Sequence, residues 1–251
     1  MATLRIATYN IHKGVRGLGP LQRLEIHNLR QAVAQLGADI VCLQEVRAFH
    51  HRLARRFGAH WPHEPQAQVL APPGWHAVYR TNALTRHGEH GNALLSRWPV
   101  LAHAHHDVSD HRLEQRGLLH VTLALPPVSA ATSWAVLHVI VVHLGLIHAS
   151  RERQVQALGR YVAEAVPAGA PLVVAGDFND WGERLHADLA RLGLSTLAGV
   201  RVPTFPARLP LLALDRIYVR GLRLLALQAP HGRPWTRLSD HLPLLGEVAW
   251  A

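Results

Sequence analysis

Cysteine is almost missing from this chain of 251 residues: Cys42 is the only one. An intramolecular disulfide is therefore excluded. Cys42 lies in the apolar run DIVCLQ, where a thiol serves as a small core side chain, and such usage fits a reducing compartment. No apolar run reaches the roughly 18–20 residues that a membrane-spanning helix needs; HVIVVHLGLI is too short and carries histidine. The N-terminus lacks the apolar core of a signal peptide, so a cytoplasmic location is expected. Internal repeats and low-complexity linkers are absent too, which leads us to expect one domain over residues 1–251. Charge is scarce at 17 %, and lysine nearly absent, with Lys13 alone. The charge present is lopsided: 26 basic residues against 17 acidic give +9, with a pI near 11.0. Such a balance favours a polyanionic partner, either nucleic acid or an anionic membrane surface. A lone lysine among arginines, beside 20 histidines, also reads as compositional drift.

Apolar residues make up 49 % of the chain, enough for a substantial core. Strand-like runs recur: LRIATYN (4–10), ADIVCLQE (38–45), HAVYRT (76–81), GNALLSR (91–97), LLHVTLAL (118–125), WAVLHVIVVH (134–143), PLVVAGD (171–177), DRIYV (215–219) and PLLGEVAW (243–250). Many are β-branched or alternating and are bounded by Gly, Pro or Asn. Helical spacing appears between them. Leu21, Leu24, Leu29, Val33 and Leu36 form one stripe, stopped by Gly37. Val155, Leu158, Val162 and Val166 form a second, with Ser150 as its expected N-cap. A third, of Leu185, Leu189 and Leu192, ends at Gly193. Strands outnumber helices, which points to packed sheets with helices outside.

Polar residues repeatedly sit at the ends of these apolar strands. LRIATY ends at Asn10, DIVCLQ at Glu45, AVLHVIVV at His143 and PLVVAG at Asp177, while Asp215 precedes IYV and Asp240–His241 precede LPLL. Loops at strand ends are where a rigid scaffold presents chemistry. Glu45, Asp177, Asn10, Asn179 and Asp240 are hard oxygen donors, suited to Mg²⁺ or Mn²⁺ rather than to a thiolate zinc centre. In GDFND, an extended stretch would point Asp177 and Asn179 the same way; a solvated turn is the plainer reading. His241 cannot be oriented by its neighbour Asp240, so Asp215 is its expected partner, fixing the tautomer and raising the basicity of the other nitrogen. His143 has no clear carboxylate partner, Glu89 being the one candidate. Asn92 and Ser96 in GNALLSR are placed to reach a substrate or to serve as turn and strand residues. Arg116 offers a planar fork for phosphate or is a surface arginine. The histidines of HAHH (103–106) and the pair His50–His51 read as surface residues more than as a soft-metal site.

These segments, taken together, resemble the endonuclease/exonuclease/phosphatase superfamily, which includes DNase I, exonuclease III, abasic-site endonucleases, neutral sphingomyelinases and inositol polyphosphate 5-phosphatases. TYNIH (8–12), LQE (43–45), GNALLSR (91–97), VVHLG (141–145), GDFND (176–180), LDRIYV (214–219) and SDH (239–241) occur in the family's order and span nearly the whole chain. In detail they look most like small bacterial members. The resemblance implies a four-layer α/β/β/α sandwich of two mainly antiparallel sheets with helices outside, and an active site at one end. It implies that Glu45 is the principal metal ligand, helped by Asn10 and Asp240. It implies that Asp177 activates or positions the attacking water, that Asn179 orients the nucleophile and a phosphate oxygen, and that Asp215 pairs with His241 against the scissile phosphate. Whether Asp177 or the His241–Asp215 pair is the base stays open. His143 matches the histidine of DNase I-like and sphingomyelinase-like members, which argues against a specialised abasic-site role. The disulfides of secreted DNase I are absent.

The implied chemistry is metal-assisted, in-line hydrolysis of a phosphodiester. DNA, with RNA beside it, is the first substrate expected, monomeric protein being assumed. The basic balance then supplies attraction to phosphates, with Arg47, Arg80, Arg97 and Arg116 along the backbone groove. The alternative is a phosphodiesterase or phosphatase acting on a lipid headgroup or small phosphate ester. Trp61, Trp75, Trp181 and Trp235 fall in expected loops, where they would touch a membrane interface, stack on bases or pack the loops. A binding scaffold without turnover is the third reading, and the full set of matching residues argues against it.

Overall fold

The computed structural model describes residues 3–112, 114–126 and 136–250. The first half of the chain forms β1 (Thr3–Asn10), β2 (Val15–Arg16), β3 (Arg23–Leu24), β4 (Ile40–Val46), β5 (His76–Thr85), β6 (Gly88–Ser96) and β7 (Val100–Asp107). The second forms β8 (Gly117–Ala124), β9 (Val136–His143), β10 (Leu172–Asp177), β11 (Asp215–Arg220), β12 (Leu222–Gln228) and β13 (Leu244–Trp250). Helices are α1 (Ile26–Gln35), α2 (His51–Phe57), α3 (Gln66–Leu70), α4 (His148–Ala165), α5 (His186–Arg191) and α6 (Trp235–Leu238). None is long and apolar enough to cross a membrane.

Two sheets carry the fold. One has the order β12-β13-β1-β4-β6-β5, the other β11-β10-β9-β8-β7, and β2 and β3 make a small hairpin. Apolar residues on both faces of the inner strands explain the continuous hydrophobic runs. Successive side chains alternate between two cores. In β4, Ile40 and Cys42 enter the inter-sheet core, whereas Val41 and Leu43 face the helices. In β9, Val139 and Val141 face the other sheet, whereas Ile140 and Val142 pack under α4 with Leu158 and Val162. On the far side, Leu29 and Val33 of α1 and Leu70 of α3 cover the first sheet. The result is a four-layer α/β/β/α sandwich.

Two parallel pairs interrupt the antiparallel pattern, β1 with β4 and β9 with β10. Each is joined by a crossover helix, α1 and α4, as parallel strands require. Their carboxyl ends lie together, because Asn10 at the end of β1 donates from Nδ2 to Asp177 Oδ2 at the end of β10 (3.1 Å). Antiparallel β11 starts there, with Asp215 opposite Asp177. One end of the sandwich thus collects the polar strand ends.

The helices differ from the sequence reading at their starts. Leu21 is 81 % exposed and precedes α1, which begins at Ile26. Ser150 is no N-cap: it lies inside α4, and its hydroxyl donates to Asp110 Oδ2 (2.6 Å). Residues 134 and 135 of the run WAVLHVIVVH lie outside the described residues.

Candidate active site

Backbone geometry already marks this end of the molecule. Among the described residues, those other than glycine with positive φ are His12 (46°), Lys13 (62°), Glu45 (56°), Asn179 (49°) and Glu183 (58°), and the first four sit at the converging strand ends. Left-handed backbone is costly for residues with a Cβ and persists where the surroundings impose it. At Glu45 the cause is visible: the pairing of β4 with β6 slips between Leu43 and Val46, a bulge that re-aims the side chain. At Asn179 the left-handed turn replaces the extended stretch expected after Asp177. Its N–H donates to Asp177 Oδ1 (3.0 Å), and its Nδ2 donates to the Leu144 carbonyl (2.8 Å).

Asp177 is the hub. It is 1 % exposed, and its Oδ2 lies 3.6 Å from His241 Nε2 and 3.7 Å from His143 Nε2. His241 Nδ1 lies 2.8 Å from Asp215 Oδ2, which also accepts from Thr204 Oγ1 (2.6 Å). The two histidines are pushed in opposite directions. Burial alone would lower the His241 pKa, but the Asp215 and Asp177 carboxylates override it and raise it to about 10. His143 is lowered to about 4, by burial first and then by the nearby Arg116 cation. One charged and one neutral imidazole therefore flank the same carboxylate.

Glu45 and Asp240 form the other half. Glu45 Oε2 meets Lys13 Nζ at 2.8 Å, and Asp240 Oδ2 meets His12 Nδ1 at 3.1 Å. Burial would raise the Glu45 carboxyl, but the Lys13 ammonium holds it well below the usual carboxylate range. Asp240 is lowered likewise, with His12 opposing its burial. Asn10 Oδ1 accepts from the His12 N–H (3.1 Å). Each carboxylate has thus drawn a nitrogen donor, Lys13 Nζ on Glu45 and His12 Nδ1 on Asp240, and the donors are hard oxygens, a set that fits a divalent cation such as Mg²⁺ or Mn²⁺. Asp177, Asp215 and His241 also lie within ligand distance of one another, their candidate atoms within 4.8 Å. Within that trio His241 and Asp215 are hydrogen-bonded and Asp177 stands 3.6 Å from His241, whereas Glu45, Asp240 and Asn10 bring a second set of oxygen donors to the same end of the sandwich.

The sequence profile of the Endonuclease/Exonuclease/phosphatase family matches residues 7–241, from β1 to His241. The chain belongs to that family. It is 39 % identical over 254 residues to the "Uncharacterized protein YbhP" of Escherichia coli (strain K12), covering 98 % of this chain and 96 % of that protein. Among solved structures it resembles the endonuclease/exonuclease/phosphatase from Bacteroides vulgatus, with TM-score 0.73, 20 % identity and full coverage of both chains (100 % each). It also resembles ANGEL2, a 2',3'-cyclic phosphatase, with TM-score 0.68, 18 % identity and coverage of 98 % and 95 %. The family includes nucleases and phosphatases, and its members are hydrolases of phosphate esters that generally depend on a divalent metal.

Asn92, Arg116 and several other side chains that the sequence brought forward have partners of their own in the fold. Asn92 is fully buried, and its Nδ2 donates to the Gly117 and Val141 carbonyls of the opposite sheet (2.9 and 3.2 Å); it ties the sheets together instead of meeting phosphate. Arg116 has its fork engaged, from Nη2 to Glu114 (2.9 Å) and from Nε to the Leu144 carbonyl (3.2 Å). Glu89 accepts from Thr81 Oγ1 (2.6 Å), so the carboxylate beside His143 is Asp177. Asp180 accepts from the Leu185 N–H (3.0 Å) and holds the following loop. Arg97 pairs with Asp39 (3.1 Å) at the opposite end of the sandwich, and Arg80 contacts His103 (3.0 Å). Trp61, Trp75 and Trp235 pack into apolar clusters, leaving Trp181 as the exposed one of the four, at 57 %. The HAHH histidines lie on β7, and His50 Nδ1 caps α2 by accepting from the Leu53 N–H (3.2 Å).

Sequence reasoning missed Lys13, His12 and Thr204. The signal for the first two was position: they follow Asn10 by two and three residues, just beyond the end of a core strand. Lys13 also opens a cleft of about 540 Å³ beside the site, lined by Arg47, Arg52, Arg56, His50 and His87 among others.

Proposed function

We propose that this protein hydrolyses phosphodiesters by in-line attack of water, with a divalent cation held by Glu45, Asp240 and Asn10. The observation that carries this reading is Asp177, held by the Asn10 amide and the Asn179 N–H and flanked by two histidines in opposite charge states. A carboxylate fixed in this way is aimed to accept a proton from water. His241, kept cationic by Asp215 and Asp177, offers its Nε2 proton to the phosphate or to the departing oxygen. The bond from water oxygen to phosphorus forms as the ester P–O bond breaks; Asp177 receives the water's proton and the leaving oxygen takes one from His241. Asn179 positions Asp177, since its own amide is committed to Leu144. When bound, the cation neutralises charge developing on phosphorus and its oxygens.

Bis-p-nitrophenyl phosphate with Mg²⁺ or Mn²⁺ tests the reaction. Wild type should hydrolyse it and stop with EDTA, and Asp177→Asn and His241→Ala should each lose about 10²–10³ in rate. Undiminished rates in both variants would remove these residues from the mechanism. The nucleic-acid reading is supported by the basic cleft beside Lys13, which offers phosphate contacts to a polyanion; nicking of supercoiled plasmid, weakening steeply with salt, is its test. A second reading, a phosphate ester presented at a membrane surface, is favoured by Leu18, Leu21, Leu209 and Leu211, all exposed on loops next to Ser239 and Asp240.

A further inference from the structure

Two loops beside the site expose large apolar side chains. Leu18 and Leu21 are 86 % and 81 % exposed, and Leu209 and Leu211 are 65 % and 64 % exposed. The first pair follows β1; the second lies in the segment that leads into β11. The loops adjoin, for Gly17, Leu21 and Arg208 line one hollow together with Arg16 and Arg23. Both also abut the active site. The Ala207 N–H donates to the Asp240 carbonyl (2.6 Å), and Arg16 donates to the Ser239 carbonyl. Across the mouth, the loops after β9 and β10 expose Leu146, Ile147 and Trp181 by 55–64 %.

A single exposed leucine is ordinary. Four on two adjoining loops, at the edge of a catalytic mouth, are a patch with a use. Positive charge predominates around them. Residues 11–24 and 196–214 contain no aspartate or glutamate, and Arg16, Arg23 and Arg208 stand among the leucines, with Glu25 paired to Arg23 (3.3 Å) and Asp240 near Arg16 as the acidic neighbours. A nucleic-acid backbone would use the arginines and leave the leucines in water. An anionic bilayer uses both: leucines enter the acyl boundary, and arginines keep their heads at lipid phosphates.

We propose that these two loops seat the active-site mouth on an anionic membrane surface, so that the ester delivered to Asp177 and His241 is the phosphodiester of a phospholipid. The substrate class rests on the hydrolase reading above; the docking does not. Apolar insertion and electrostatic attraction act together, and neither alone holds a protein firmly to a bilayer. Partition should therefore depend on the leucines and on lipid charge at once.

The test uses the full chain and sucrose-loaded vesicles, either pure phosphatidylcholine or phosphatidylcholine with about a quarter phosphatidylglycerol. Wild type should sediment with the anionic vesicles at least about tenfold more strongly than with the neutral ones, and salt should weaken it. Leu18→Ser/Leu21→Ser and Leu209→Ser/Leu211→Ser should each lower that partition about tenfold or more. Both should still hydrolyse soluble bis-p-nitrophenyl phosphate at the wild-type rate, which shows that they are folded. Failure of wild type to bind anionic vesicles overturns the proposal, and plasmid nicking retained beside it would assign the site to nucleic acid. Unchanged partition of both leucine variants overturns it too, as does a wild-type dimer that the same variants dissolve without any vesicle binding. If vesicle binding behaves as expected but no phosphodiester is hydrolysed, the docking stands and the hydrolase reading falls.

Discussion

A divalent cation held as proposed at Glu45 would have to contend with Lys13. Its ammonium lies 2.8 Å from Glu45 Oε2, and both side chains are at most about a third exposed, at 31 % and 16 %. An ion pair so placed is screened less than one at the surface. A cation taking Glu45 therefore displaces Lys13 and forfeits that pair. Replacing Lys13 with Met removes the competitor while keeping the length of the chain. Titration calorimetry of Lys13→Met should show Mn²⁺ binding about tenfold tighter than wild type, the factor that corresponds to ~1.4 kcal/mol. Equal or weaker binding would show that the ammonium does not compete for Glu45. This residue also marks a limit of reading sequence. Asp177, Asp215 and His241 were legible because motifs tie them to strand ends. A lone lysine among arginines carries no such label, and its meaning appears only when β1 and β4 bring Lys13 against Glu45.

Strands were legible where both of their faces are buried. β1, β4, β9 and β10 read as continuous apolar runs, and each ends in a residue of the site. The strands that escaped notice are the two-residue β2 and β3 and, in the large sheets, β7 and β12, each at an edge and more exposed than the edge strand β11, which was read. β7 is mostly exposed, and β12 buries little beyond Leu222 and Leu224. An edge strand has one side without a partner and often little apolar pattern, so HAHH looked like a histidine cluster. The short helices α2, α3 and α6 span too few turns to show a stripe. Between β9 and β10, by contrast, one glycine sets how closely the site-bearing strands approach. A Cβ on Gly176 would collide with the Val142 carbonyl oxygen, one residue before Asp177 and His143. Gly176→Ala should therefore cost about 1–3 kcal/mol in urea unfolding, as overpacking does, and lower the hydrolytic rate by displacing Asp177. Gly182→Ala, whose nearest neighbour is the flexible Arg184 side chain at 3.5 Å, is the comparison and should change neither. Equal stability of the two variants would show that β10 moves away from β9 without cost.

At the scale of the whole molecule, the histidines make stability depend on pH through groups far from the mouth. His120 on β8 and His138 on β9 are 6 % and 8 % exposed. They form a chain under α4: His120 Nε2 to His138 Nδ1 at 3.0 Å, and His120 Nδ1 to Tyr161 Oη at 3.1 Å. Burial, and then His138, lowers His120 to about 4; burial, and then Arg220, lowers His138. In the unfolded chain an imidazole titrates near 6.5. Between about pH 6.5 and 4 the unfolded chain therefore binds protons that the folded core refuses, and stability falls as pH falls through that window. His241 has the opposite sign. Its pKa is raised to about 10, so its contribution is intact below the unfolded value and is lost only as pH climbs through the folded one. Acid weakening is thus assigned to buried neutral imidazoles and not to the Asp215–His241 pair. Urea unfolding of wild type and His120→Gln, each at about pH 7.5 and about pH 5, separates these contributions. Wild type should lose about 1–2 kcal/mol more than the variant between the two conditions, the linkage expected of one histidine shifted to about 4. Equal losses would mean that His120 accepts its proton in the folded state, with Tyr161 and His138 rearranging around the charge.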